Sequence, residues 1–193
     1  MKINKIFNGI IEIEDFVSKD EQDSILSFAN SIPEDIWFKE DNNIDYDWWN
    51  GKVIPSPKSF TDLNVLSSLE KRVINLFNNQ LEVTGINLNR YKNNDFLNYH
   101  TDEWINNPKH FVRYGVIIYY NDNYEGGELH YKDLEIIYRP KAGSLILHEG
   151  HMLHGTLPVK SNSVRYSSTF FVKELRGKNI SLNKEIFGDT DGL

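Results

Sequence analysis

Polar and apolar positions along the chain fall into three patterns, and each predicts a different kind of element. Ile10 to Phe16, isoleucines interspersed with acidic residues, reads as a strand entering a turn. Over Lys19–Ser31, the apolar residues Ile25, Leu26, Phe28 and Ala29 have helical spacing. Ser18 stands at the N-cap of that helix with Glu21 three residues on, the capping-box arrangement, and Pro33 ends it. A second amphipathic helix is predicted over Asp62–Asn78, with Leu63, Leu66, Leu69, Val73, Ile74 and Phe77 as its apolar set. The intervening segment Asp41–Pro57 holds Tyr46, Trp48, Trp49 and several acidic residues, and reads as a loop.

From Thr84 the pattern changes to short strands. The candidates are Gly85–Tyr91, Phe96–His100, Phe111–Tyr120, Glu128–Tyr131, Leu134–Tyr138, Ser144–Leu147 and Val164–Val172. Lys92–Asp95, Asn121–Asn123, Gly126-Gly127 and Pro140–Gly143 supply the turns between them. Many short, closely spaced strands predict a β-sandwich or barrel, with the two helices covering one sheet. The expected organisation is a single α+β domain, mainly β, over residues 1–193. A helical support region occupies 1–83, the β core 84–173, and a polar, loosely held tail 174–193.

Composition narrows the chemistry. The chain has 193 residues, enough for one domain with a sizeable core. It contains no cysteine, which excludes disulfides, iron–sulfur clusters, thiolate zinc sites and a cysteine nucleophile. A net charge of −7 argues against a broad nucleic-acid surface, so no nucleic-acid partner is expected. The first residues, MKINKIFNGIIEIEDF, lack the continuous apolar core of a signal peptide. No stretch approaches the roughly 18 apolar residues that span a bilayer. The expectation is a cytoplasmic protein with no membrane partner.

All six histidines lie between His100 and His154, which motivates a metal search. In His100-Thr101-Asp102, residues two apart on a strand share a face, so an imidazole and a carboxylate can reach one ion. The preferred third ligand is His154, chosen for its spacing to Arg165 and its Gly-Thr-Leu-Pro-Val context; His151 and then His148 are the competitors. Two histidines and a carboxylate on one face of an octahedron leave three open positions, which suits non-haem iron(II). His130, His148 and His151 otherwise read as hydrogen-bonding residues, and Asp122, Asp133 and Glu149 as solvated turn or edge residues. Arg165 opens the apolar strand ending at Val172 and needs a partner there, because a buried unpaired charge is costly. That partner is either a structural carboxylate such as Glu12 or Glu128, or the carboxylate of a ligand. Ser167, two residues on, points the same way, and a tyrosine on a neighbouring strand can add a further hydrogen bond.

Six motifs then follow in order: Asn89–Leu97 leading into His100-Thr101-Asp102, Ile118–Asp122, Glu125–Leu129, Arg139–Leu145, His154-Gly155 with Pro158-Val159, and Arg165-Tyr166-Ser167. Together they resemble the 2-oxoglutarate/iron(II) oxygenase superfamily, most closely its prolyl 4-hydroxylase-like branch, over roughly residues 84–173. The resemblance implies a double-stranded β-helix, a cupin-like jelly roll with supporting N-terminal helices. It implies iron(II) on His100, Asp102 and His154, with Arg165 on the distal carboxylate of 2-oxoglutarate and Ser167 supporting it. By position, Tyr119 helps hold that carboxylate, Tyr91 is a pocket tyrosine beside the co-substrate, and Leu129 is a pocket wall. The implied activity consumes 2-oxoglutarate and O2, with ascorbate as a supporting reductant, releases succinate and CO2, and hydroxylates a C–H bond. Asp102 favours hydroxylation over halogenation, since the family's halogenases lack this carboxylate. The chain departs from the family pattern at His148, where an aromatic residue is common, at Asn94, where glycine is usual, and in a slightly longer loop between His154 and Arg165.

The expected substrate is a prolyl residue in a peptide or protein. Asp45–Trp49 and Trp104–His110 are candidate lids whose Trp48, Trp49 and Trp104 stack on a proline ring or line a groove, or else fill the core. One alternative is the same chemistry on a free amino acid or small metabolite. Another, from a different class, is a non-catalytic cupin-like metal-binding module, which would keep its metal after loss of Arg165.

Overall fold

A computed structural model describes residues 2–38, 50–55, 64–78, 82–103, 111–174 and 181–187. The first helix, α1 (Lys19–Ser31), begins as its capping chemistry predicts. Ser18 Oγ accepts from the Glu21 backbone N–H, and the Glu21 carboxylate accepts from the Ser18 backbone N–H. Ile25 and Ala29 turn inward from it. The second helix, α2 (Asn64–Ile74), buries Leu66, Leu69 and Val73. It stops short of the predicted Asn78 because the chain tightens there, with Leu76 and Phe77 donating to carbonyls three residues back. Ile74, assigned to the apolar face by pattern, is 41% exposed. Leu63 lies outside the described residues.

The strands are β1 (Lys2–Phe7), β2 (Ile10–Glu14), β3 (Lys52–Pro55), β4 (Glu82–Val83), β5 (Asn87–Tyr91), β6 (Leu97–His100), β7 (Phe111–Tyr119), β8 (Leu129–Tyr131), β9 (Ile136–Tyr138), β10 (Leu145–Glu149), β11 (His154–Thr156) and β12 (Arg165–Glu174). The larger sheet runs β1-β2-β10-β7-β12-β5-β3, with β4 also on β12; the smaller runs β6-β11-β8-β9. All pairings are antiparallel. Alternation sorts the larger sheet's side chains onto two faces. Ile11, Ile13, Val116, Ile118, Leu145, Leu147, Phe170 and Val172 pack with α1 and α2 in the main core. Ile10, Ile117, Tyr119 and Ile146 face the other way and meet Leu129 and Tyr131 of the smaller sheet. Helices thus close one face and the second sheet closes the other, giving the jelly-roll, double-stranded β-helix architecture. Each fully buried Leu, Ile or Val contributes about 1.5–3 kcal/mol, so the layers are held mainly by this apolar contact.

Three features differ from the pattern-based reading. The N-terminal region is not only helical: β1 and β2 extend one edge of the large sheet and β3 extends the other. Residues 52–55, read as loop, pair with β5 through Val53–Asn89 and Pro55–Asn87. The tail is not wholly loose. Leu182 is buried in the main core and bridges to Phe77, and α3 (Lys184–Phe187) follows it. The candidate lids Asp45–Trp49 and Trp104–His110 lie outside the described residues. Asn94 has φ 67°, a left-handed conformation that asparagine tolerates and glycine ordinarily supplies.

Candidate active site

β6 and β11 are neighbours, and their register places His154 directly opposite His100. Strand β6 ends at His100, so Asp102 reaches the same place from just beyond it. The Asp102 and Glu103 backbone N–H groups both donate to the Gly150 carbonyl, at 2.9 and 3.0 Å, and pin this turn. The side chains converge: one ligand atom each from His100, Asp102 and His154 lie within 4.8 Å of one another. Asp102 Oδ1 is 3.5 Å from His100 Nε2 and 3.9 Å from His154 Nε2.

The second nitrogen of each imidazole is committed elsewhere. His100 Nδ1 lies 3.0 Å from the Asn98 carbonyl and His154 Nδ1 lies 2.9 Å from the Met152 carbonyl. A carbonyl only accepts, so Nδ1 carries a proton on each ring and leaves Nε2 as the nitrogen that would coordinate an ion. This second-sphere bonding orients metal-binding histidines. Burial, with the neighbouring His148 adding to it, pushes His154 down to about 3, so it is neutral as a ligand must be. Burial alone would raise the Asp102 carboxyl, but hydrogen bonds from His100 and His148 outweigh it and hold it well below the usual range. Burial lowers His100 and Asp102 raises it; the carboxylate wins and the net shift is upward. Two directed imidazoles and an ionised carboxylate are a donor set that fits a divalent iron ion.

The other sequence-predicted residues lie close by. A cavity of about 300 Å³ is lined by His100, Asp102 and His154 together with Tyr91, Leu129, Arg165 and Ser167. Arg165 is 1% exposed. Its Nη1 donates to Ser167 Oγ at 3.4 Å, and its guanidinium lies over the rings of Tyr91 and Tyr119 at 4.6 and 4.9 Å. Neither structural carboxylate considered above is its partner. Glu12 accepts from Tyr138 and Asn4, and Glu128 lies 3.6 Å from Arg139. Among the described residues Arg165 forms no ion pair, and its Nε and the Tyr119 hydroxyl are buried without a hydrogen-bond partner. Burial, opposed by the Arg165 charge, pushes the Tyr119 phenol up to about 12, so it remains a donor. A buried, uncompensated guanidinium beside a free phenol fits the carboxylate of a bound ligand.

The competing histidines do not join the converging ligand atoms. His130 is 2.6 Å from the Tyr99 hydroxyl, and His151 is a surface residue 3.4 Å from Glu149. His148 is fully buried, lines the same cavity and contacts Asp102 Oδ2, but its nitrogens are not among the converging ligand atoms of His100, Asp102 and His154. His110 lies outside the described residues.

Pattern reading missed a polar strip on the cavity wall. Asn87 Oδ1 accepts from Thr169 N at 2.8 Å and from Thr169 Oγ1 at 2.7 Å, and Asn89 Nδ2 donates to Thr169 Oγ1 at 3.4 Å. The signal was present as Asn87-Leu88-Asn89, two amides on one face of a strand whose other face is core.

Comparison with known proteins bears on the family and the fold. The sequence model of the 2OG-Fe(II) oxygenase superfamily matches residues 86–173. No curated protein matches the chain by sequence. Among solved structures, the chain is similar to the viral collagen prolyl hydroxylase vCPH of Paramecium Bursaria Chlorella virus-1 in its 2OG complex. The TM-score is 0.65 at 17% identity, covering 86% of this chain and 97% of that one. It is similar to a Trichoplax adhaerens prolyl hydroxylase in complex with a hypoxia inducible factor oxygen degradation domain peptide fragment (TM-score 0.64, 17% identity, 86% and 84% covered). It is also similar to HygX of Streptomyces hygroscopicus with nickel, 2-oxoglutarate and hygromycin B bound (TM-score 0.62, 12% identity, 86% and 83% covered). The superfamily model thus matches residues 86–173, under half of the chain, and the chain shares its fold with these solved structures.

Proposed function

We propose that His100, Asp102 and His154 hold the iron, that Arg165 with Ser167, Tyr119 and Tyr91 holds 2-oxoglutarate, and that the substrate is a prolyl residue in a peptide or protein. The observation that carries the site assignment is Arg165, a buried guanidinium without an acidic partner among the described residues, in one cavity with the His–Asp–His cluster. When bound, iron and 2-oxoglutarate supply oxidative decarboxylation, releasing succinate and CO2, coupled to hydroxylation of a C–H bond.

The chain's own residues bind, orient and exclude. The Asn98 and Met152 carbonyls lock the two imidazoles with Nε2 toward the ion. Arg165 would hold the distal carboxylate through its guanidinium N–H donors, with the Tyr119 hydroxyl as a further donor beside it. The apolar side chains of Ile117, Leu129 and Phe171 line the cavity and keep water from the reacting atoms. Likeness in fold to two prolyl hydroxylases, one of them with a peptide bound, supports the peptide substrate.

A second reading, oxygenation of a non-peptide molecule, is favoured by the polar strip Asn87–Thr169–Asn89. Its amides suit a hydrogen-bonding small substrate, and the HygX complex holds hygromycin B on the same fold. Succinate release in the presence of proline-containing peptides separates the two. Stimulation by such peptides, with a 16 Da mass gain on proline, supports the first; stimulation by non-peptide compounds alone replaces it with the second.

A further inference from the structure

Asp102 has two carboxylate oxygens, and they face different groups. Oδ1 faces His100 and His154, at 3.5 and 3.9 Å. Oδ2 lies 3.0 Å from Nε2 of His148, a residue with no exposed surface. The other His148 nitrogen, Nδ1, lies 3.1 Å from the Tyr131 hydroxyl, itself buried. An ionised carboxylate has no proton to give, so His148 Nε2 must be the donor to it. A neutral imidazole that donates from Nε2 accepts at Nδ1, and the Tyr131 hydroxyl is the donor that meets it. Protons placed as Tyr131 O–H to His148 Nδ1 and His148 Nε2–H to Asp102 Oδ2 satisfy every group in the run.

The backbone makes room for this run. Gly115 on β7 is the register partner of His148 on β10. A Cβ at position 115 would approach Asp102 Oδ2 and His148 Nε2 more closely than real side chains allow. The His148–Asp102 bond thus occupies the space that any larger residue at 115 would fill.

We propose that His148 is a positioning residue for the metal site: by donating to Asp102 Oδ2 it holds the carboxylate so that Oδ1 alone faces the ion. Tyr131 acts one step further out, selecting the His148 tautomer that donates. This rests on the reading of His100, Asp102 and His154 as the metal ligands. Loss of a hydrogen bond of this kind ordinarily lowers metal affinity about 10–100-fold.

The test is equilibrium binding of Co2+ to the metal-stripped full chain, with the cobalt absorption spectrum as a second readout. His148→Phe should bind Co2+ about 10–100-fold more weakly than wild type. His148→Gln, whose side chain keeps an N–H donor at similar reach, should recover most of the affinity and the wild-type spectrum. His148→Asn, an amide too short to reach Oδ2, should not recover it. Tyr131→Phe should fall between wild type and His148→Phe. If His148→Phe fails to fold, as read by circular dichroism, the Gln/Asn pair decides. Equal Co2+ affinity in that pair, or wild-type affinity in His148→Phe, overturns the proposal. Equally severe loss in His148→Gln and His148→Phe also overturns it, since that marks a ligand or a space-filler. His154→Ala is the control on the underlying reading. If it binds Co2+ as wild type does, or if wild type binds none, the ligand assignment fails and the positioning role with it.

Discussion

Replacing Arg165 with methionine should move stability and binding in opposite directions. Methionine keeps much of the length and apolar volume of arginine but removes the charge. In the ligand-free protein the guanidinium is 1% exposed, lacks an ion pair among the described residues, and leaves Nε without a partner. Desolvating the charge costs several kcal/mol and the unsatisfied donor about 1–3 kcal/mol more, which cation–π attraction of about 2 kcal/mol from each of the two tyrosine rings offsets only in part. Swapping buried ions for apolar residues of similar volume is often neutral or stabilising by about 1–4 kcal/mol. Arg165→Met should therefore melt at or above the wild-type temperature in the absence of ligand.

With 2-oxoglutarate the balance reverses. Hydrogen bonds to charged groups contribute about 1.5–3 kcal/mol each, so a two-point grip is worth about 3–6 kcal/mol. At about 1.4 kcal/mol per factor of ten, the variant should bind 2-oxoglutarate about 10²–10⁴-fold more weakly. The assay is thermal unfolding with Mn2+ in place of iron, with and without 2-oxoglutarate, alongside calorimetric titration. At 100 times its Kd the ligand should stabilise wild type by about 2.7 kcal/mol. For a chain of this size that is a rise of roughly 5–11 °C, and Arg165→Met should show almost none of it. A variant that is markedly less stable without ligand yet binds 2-oxoglutarate like wild type would refute the reasoning and make Arg165 a structural residue.

Three further outcomes are expected. Gly115→Ala should disturb metal binding more than folding, because its methyl group meets Asp102 and His148; Co2+ titration and urea denaturation on the same sample compare the two effects. Leu69→Ala, at a fully buried position of α2, should lower unfolding free energy by about 2–5 kcal/mol in urea, with Co2+ affinity unchanged because the residue lies on the far face of the larger sheet. The metal-free protein should lose stability as pH falls below 6.5. His154 binds its proton at an ordinary value when unfolded but only near 3 when folded, so acid favours the unfolded chain throughout that window. Asp102 adds to the loss below its ordinary value of 3.8, since its folded carboxyl is held lower still. His100 acts oppositely, contributing below 6.5 and losing that contribution as pH rises through its raised value, but the larger His154 shift decides the sign. Melting temperatures of metal-stripped protein at about pH 7 and about pH 4.5 check this.

Much of this was legible in the chain because the informative signals are local. The α1 cap is written within four residues, Ser18 to Glu21, and the structure begins the helix there. His100 and Asp102 are two residues apart, and the strand geometry that points them together is a short-range property, although the strand ends between them. His154 was chosen over His151 and His148 by context. Its convergence with the other two depends on β6 and β11 pairing across more than fifty residues of sequence, which no periodicity reveals. Strand β11 has three residues, too short for an alternating pattern, and β3 is a polar-edged run that reads as loop until β5 lies beside it. Leu182 was hidden for a similar reason: one apolar residue in a polar tail carries no pattern, and its burial is decided by Phe77. His148 and Tyr131 likewise acquire meaning only through partners on other strands.

The most direct test of the central claim is succinate formation. Protein loaded with iron(II) without oxygen is mixed with 2-oxoglutarate, oxygen is admitted, and succinate is measured for wild type, His100→Ala and Arg165→Met. The account predicts succinate from wild type and none above background from either variant. No succinate from wild type across peptide and small-molecule candidates, or equal succinate from all three proteins, would contradict it.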